Sequence, residues 1–147
     1  HQKFGGLIFE QCLNKCIIAP STVVAHKNIF YDVGLFDESI KICEDYEMWL
    51  RITAKYKVGF NPKELLTKHG GHNDQLSNVQ EGIEYYHIQA LEKLLNKKIL
   101  IGSKFTMTKK MLIEKLKIYL HGLEKRERMD QVHKYEEKII FWKNFNE

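Results

Sequence analysis

From Glu44 to Tyr56 the apolar positions fall on more than one side of a helix. Tyr46, Trp49, Leu50 and Thr53 share one face, and Met48 and Ile52 cover another. A helix that is apolar on most sides is a buried helix. Upstream, Phe4 to Asn14 reads as a short helix, and Lys27 to Val33 as a brief one that stops at Gly34. Glycine tolerates the left-handed position after a helix end. Between these two, the β-branched run Thr22 to His26 predicts a short strand. Lys57 to Phe60 and Lys63 to His69 predict two more, on either side of Asn61-Pro62.

Downstream, Gly70-Gly71 forms a loop carrying His69 and His72. Ser77 with Gln80 three residues on is a capping-box signature, which predicts a helix from about Asn78 to Asn96. Two more helices follow. Leu112, Leu116, Tyr119, Leu120 and Leu123 mark the first; Val132, Tyr135, Ile139 and Trp142 mark the second, with Gly122 near the junction. They predict a helical hairpin. Strands among helices, then helices alone, suggest an α+β, mostly helical chain with a division at residues 1–103 and 104–147.

Bulk properties narrow the class. The 147 residues, 44% hydrophobic and 29% charged, suit an ordinary globular protein able to bury a core. No apolar run reaches the roughly 18–20 residues that span a bilayer. The chain starts at His1, not methionine, and so reads as a fragment. Three cysteines, Cys12, Cys16 and Cys43, cannot all pair, which is the pattern of reduced thiols in a cytoplasmic protein. Cys12 and Cys16 stand one helical turn apart, a spacing open to a shared metal or to apolar packing. Residues 1–103 hold 12 basic and 12 acidic residues; residues 104–147 hold 11 and 7. The whole excess of +4 therefore lies in the tail, a solvated face or a weak attraction to an anionic membrane surface. The tail lacks interleaved aromatics and any nucleic-acid motif, so nucleic acid is not expected as a partner.

The acidic pair Glu44-Asp45 sits in the first turn of the predicted buried helix, where the helix dipole favours negative charge. Its surroundings add a second meaning. Gly34, Phe36-Asp37-Glu38, Glu44-Asp45-Tyr46, Trp49-Leu50-Arg51 and the loop Gly70 to Ser77 come in one order over about residues 15–80. This order resembles the acceptor-side half of family-2 glycosyltransferases, which carry "GxFDE", then "ED" with an aromatic and "WLR". The resemblance implies the C-terminal half of a GT-A α/β fold with short strands, followed here by the hairpin. It also implies a nucleotide-sugar donor, a saccharide or lipid-linked acceptor, and a divalent metal, Mn²⁺ or Mg²⁺, in the full-length enzyme. The family's Asp-x-Asp motif is absent from this chain. As it stands, the chain is expected to bind no metal and to be inactive alone.

The reaction so implied is inverting sugar transfer, in polysaccharide biosynthesis in a bacterial cytoplasm or at the inner face of its membrane. An acceptor hydroxyl is a poor nucleophile at neutral pH, and a carboxylate in hydrogen-bond reach can take its proton. By the resemblance that base is Asp45, with Glu44 holding the helix start or a nearby loop. Gly70, Gly71 and His72 are expected on the donor side, His72 at the diphosphate or its metal. Trp49 is a candidate sugar-stacking platform and, more ordinarily, a core residue. Phe36-Asp37-Glu38 is expected to shape the turn before the acidic pair. The alternative is a non-catalytic interaction or oligomerisation module, a homodimer included, docking through the hairpin.

Overall fold

The computed structural model describes residues 5–67 and 82–147. Its regular structure is helical. The contacts divide the chain into two units, His1–Gln80 and Glu81–Glu147.

The first unit is organised by a helix that is almost entirely interior. Helix α1 spans Phe9–Asn14, a 3-10 turn spans Pro20–Thr22, α2 spans Lys27–Val33 and α3 spans Glu44–Lys55. Residues 46–53 of α3 are all buried, and α1 and α2 pack against it. Met48, Trp49 and Ile52 meet Ile18, Val23, Ile29, Phe30, Val33 and Tyr56. Burying a side chain of this size contributes roughly 1.5–3 kcal/mol, so α3 is the main source of the unit's cohesion. The Tyr46 hydroxyl, buried beside α1, donates to the Leu13 carbonyl at 2.6 Å. At the far end, Lys55 Nζ and the Tyr56 hydroxyl both donate to Asp32 of α2, at 3.0 and 2.8 Å.

The expected GT-A α/β architecture is overturned: among the described residues there is no strand and no sheet. The run Thr22 to His26 enters from the 3-10 turn and continues extended, and Val24 is fully exposed. Lys57 to Phe60 makes one isolated antiparallel bridge, Gly6 with Val58. Residues 63–67 form no strand among the described residues, with Leu65 77% exposed; Lys68 and His69 lie outside them. The physical reason is that β-branched composition favours a pleated, half-buried surface, and a strand exists only when a neighbour completes its ladder. The one bridge that forms is a close approach. A Cβ on Gly5 would sit 2.5 Å from the Val58 carbonyl oxygen, so that position admits only glycine.

The second unit holds α4, Ile83–Asn96; α5, Ser103–Lys125; and α6, Met129–Asn144. Helix α5 packs against both of the others. The expected hairpin faces are present: Leu112, Leu116 and Tyr119 on α5, and Val132, Ile139 and Trp142 on α6, are buried. Ile88, Leu91, Leu94 and Leu95 of α4 are buried as well, and α4 packs against α5. By its contacts α4 belongs to the same unit as α5 and α6. Glu92 of α4 accepts from Lys138 Nζ at 2.7 Å and from the Trp142 indole at 3.0 Å, tying α6 to α4.

Helix α5 runs through Gly122 and ends three residues later. Its terminal carbonyls are satisfied by Glu127 N–H to Glu124 and Arg128 N–H to Leu123, the Schellman pattern. Glu127 occupies the left-handed position at φ 55°, where glycine is usual. The capping box expected at Ser77 and Gln80 lies outside the described residues.

Candidate functional site

Helix α3 begins without a side-chain cap. Its N-cap residue, Cys43, has φ 64°, a left-handed conformation that costs a non-glycine residue energy. What serves the open first turn is charge, with Glu44, Asp45 and Glu47 all within it. These carboxylates part company. Glu44 and Asp45 are half-buried at the tip, whereas Glu47 is wholly buried.

Asp45 is held on both oxygens. Oδ1 accepts from the Tyr46 backbone N–H at 2.7 Å. Oδ2 accepts from the Cys16 thiol at 3.4 Å. Cys16 lies just past the end of α1, so this bond joins the exit of one helix to the start of another. Cys16 is an exposed residue, but partial burial of its sulfur and the charge of Asp45 beside it push the thiol up to about 12. Cys12 is turned into the core, where burial pushes its thiol up to about 11. The two cysteines therefore point to different surroundings, and all three are free thiols.

The turn ahead of the pair is built by Asp37. Its Oδ1 accepts from the backbone N–H and hydroxyl of Ser39, and its carbonyl accepts from Ile40 N–H at 3.0 Å. Behind it, Arg51 carries a larger load. Its guanidinium donates to the Glu47 carboxylate at 2.7–2.9 Å, to the Gly34 and Leu35 carbonyls at 3.2 and 2.8 Å, and to the Val33 carbonyl. The C-terminal carbonyls of α2 and the turn that follows are thus anchored to α3. A Cβ on Gly34, at φ 87°, would lie 3.3 Å from that guanidinium.

Trp49 lies in the core at 4% exposure, edge-on to Phe36 with ring centroids 6.2 Å apart. Its indole N–H has no partner among the described residues. Gly70, Gly71 and His72, the expected donor-side residues, lie outside the described residues, as do His69, Asp74 and Ser77. Of the expected site residues, the described ones are Asp45 and Glu44 at the tip of α3, Trp49 in the core behind them and the Phe36–Glu38 turn ahead of them in the chain.

Reasoning from sequence missed the roles of three residues, Glu47, Arg51 and Cys16. Glu47 and Arg51 stand at i and i+4 on an otherwise apolar helix, a spacing that signals an ion pair. Cys16 is 29 residues from Asp45 and gave no local signal. Among the described residues, no three His, Cys, Asp or Glu side chains converge as metal ligands. No described helix is long and apolar enough to cross a membrane.

No family model matches the chain, and no solved structure does. Over 62 residues it is 37% identical to an uncharacterized glycosyltransferase of Rickettsia felis, and equally to one of Rickettsia conorii. The matched stretch is 42% of this chain but 10% of each relative. Over that stretch, what the chain is similar to is a glycosyltransferase.

Proposed function

We propose that these residues are part of an inverting, family-2-like glycosyltransferase that moves a sugar from a nucleotide-sugar donor to an acceptor hydroxyl, with Asp45 as general base. One observation carries this reading. The residues from Tyr46 to Thr53 are all buried, while the two carboxylates ahead of them reach solvent at the helix tip. A rigid, interior helix holds an ionisable pair where a substrate can meet it. The likeness to two rickettsial glycosyltransferases supports the same class.

In this reading the acceptor oxygen attacks the anomeric carbon and forms the new C–O bond. The bond to the diphosphate oxygen breaks on the opposite face, and its electron pair leaves with the nucleoside diphosphate. The hydroxyl proton passes to Asp45 as the new bond forms. Glu44 supports the helix start. Gly70, Gly71 and His72 would serve the donor side, His72 as the residue that would hold the diphosphate or a divalent metal neutralising it. The acceptor is a saccharide or a lipid-linked sugar, met in the cytoplasm or at the membrane's inner face.

The test is turnover of UDP- and GDP-sugars by the intact protein. Asp45→Asn should cut it by about 10²–10⁴-fold, the range for a lost general base, with the melting temperature unchanged. Turnover near wild type in that variant overturns the assignment.

A second reading has its own observation. Val24, Tyr31, Leu35 and Leu65 of the first unit are 74–102% exposed. A non-catalytic docking module would use them. Intact protein that binds neither UDP- nor GDP-sugars, yet self-associates unless Tyr31 and Leu35 are made polar, would favour this reading.

A further inference from the structure

We propose that Cys16 is a positioning residue for Asp45, its thiol fixing the carboxylate so that the remaining lone pairs face an incoming hydroxyl. The proposal rests on the reading of Asp45 as the general base. A carboxylate offers about four acceptor sites on its two oxygens. The Tyr46 N–H occupies one on Oδ1 at 2.7 Å, and the Cys16 S–H occupies one on Oδ2 at 3.4 Å. Two anchors on different oxygens remove rotation about the terminal torsion, which is otherwise broad. One free site is left on each oxygen.

The Cys16 hydrogen has a second acceptor in reach, the Ile18 carbonyl at 3.3 Å. The charged carboxylate is the stronger of the two, because hydrogen bonds to ionised acceptors are about twice as strong as neutral ones. The thiol also keeps its hydrogen: burial and the neighbouring charge of Asp45, with a smaller contribution from Cys43, push it up to about 12. At neutral pH it is therefore a standing donor and not a thiolate nucleophile. A thiol is a weak donor. It orients the carboxylate while competing little with the proton that the carboxylate is to receive. Cys43 is close enough to raise the Cys16 thiol, Glu44 adjoins Asp45 in the first turn of α3, and Lys15 precedes Cys16 in the chain.

Two measurements test this. The first needs no activity: the S–H stretching band of Cys16 in the infrared, assigned by its loss in Cys16→Ala. Asp45→Asn removes the charged acceptor and should move the band to higher frequency; an unmoved band overturns the hydrogen bond. The second is kinetic, on the intact protein with UDP- and GDP-sugars. Cys16→Ala should lower kcat about tenfold, the scale of one lost hydrogen bond, with KM for the donor and the melting temperature unchanged. Cys16→Ser should recover most of the loss, and Cys16→Ala should cost nothing further in the Asp45→Asn background. Full turnover in Cys16→Ala while Asp45→Asn is inactive overturns this proposal alone. Full turnover in Asp45→Asn overturns the general-base reading, and the positioning role with it.

Discussion

Arg51 and Glu47 form an ion pair at 2.7 Å in which the two side chains are 4% and 0% exposed. The pair is not isolated in the core: the rest of the guanidinium is spent on the carbonyls of Val33, Gly34 and Leu35. One side chain therefore stabilises a buried charge, closes the end of α2 and fixes the turn that leads to Asp45.

Arg51→Met should destabilise the first unit by about 3–5 kcal/mol, because it removes the cation that faces the buried Glu47 carboxylate. Arg51→Lys should recover only part of this, since an ammonium cannot reproduce the planar fork that meets a carboxylate and three carbonyls together. Glu47→Leu combined with Arg51→Met should cost less than Arg51→Met alone. Urea denaturation of the three variants checks the order; equal midpoints for Arg51→Met and wild type would refute it.

Glu84 gives the second unit a dependence on acid. His87, whose Nδ1 is 3.8 Å away, and Lys115, bonded at 3.0 Å, hold its carboxyl down from the ordinary 4.5 to about 2. The Lys115 contact is the firmer by distance. A carboxyl depressed on folding stabilises the native state above its unfolded value and loses that contribution as pH falls through its folded value. Stability should thus decline from about pH 4.5 towards 2. Glu84→Gln should flatten the decline, read as the denaturation midpoint against pH.

Trp142 is buried at 2% exposure and donates to Glu92. Trp142→Ala should cost on the order of 3–5 kcal/mol from lost transfer energy and the cavity left behind. Thermal melting should register the loss, and sedimentation velocity should show no change in assembly. A variant that dissociates an oligomer at constant monomer stability would contradict this placement.

Glu127 is a non-glycine residue in the left-handed position of the α5–α6 turn. Glu127→Gly relieves roughly 1–2 kcal/mol of backbone strain and adds about 0.4–1 kcal/mol of unfolded-state entropy. The net expectation is a gain of about 0.5–1 kcal/mol, seen as a higher melting temperature. A lower one would mean that the glutamate side chain makes a contact worth more than the strain.

The sequence by itself determined α2, α3 and the two helices of the hairpin, because their signals are local; the helix expected from Phe4 starts only at Phe9, since Gly6 is drawn into the bridge with Val58. The period of Leu112, Leu116 and Tyr119, the stop at Gly34 and the all-round apolarity of Tyr46 to Ile52 involve residues within a few turns of one another. The observed bounds of α2, Lys27–Val33, and of α3, Glu44–Lys55, lie within a residue of those expectations. Tertiary structure alone decided the rest. Thr22 to His26 and Lys63 to Thr67 have strand-like composition, yet strand formation depends on a partner that local composition does not supply. It also decided which carboxylate would be interior. Glu44, Asp45 and Glu47 are near-equivalent along the chain, but only Glu47 faces Arg51. The bond from Cys16 to Asp45 joins residues 29 positions apart, on chain segments brought together by the packing of α1 on α3. Periodicity reports which face of an element is apolar; it carries no information on what that face will meet, and the meeting is what gives Asp45 its surroundings.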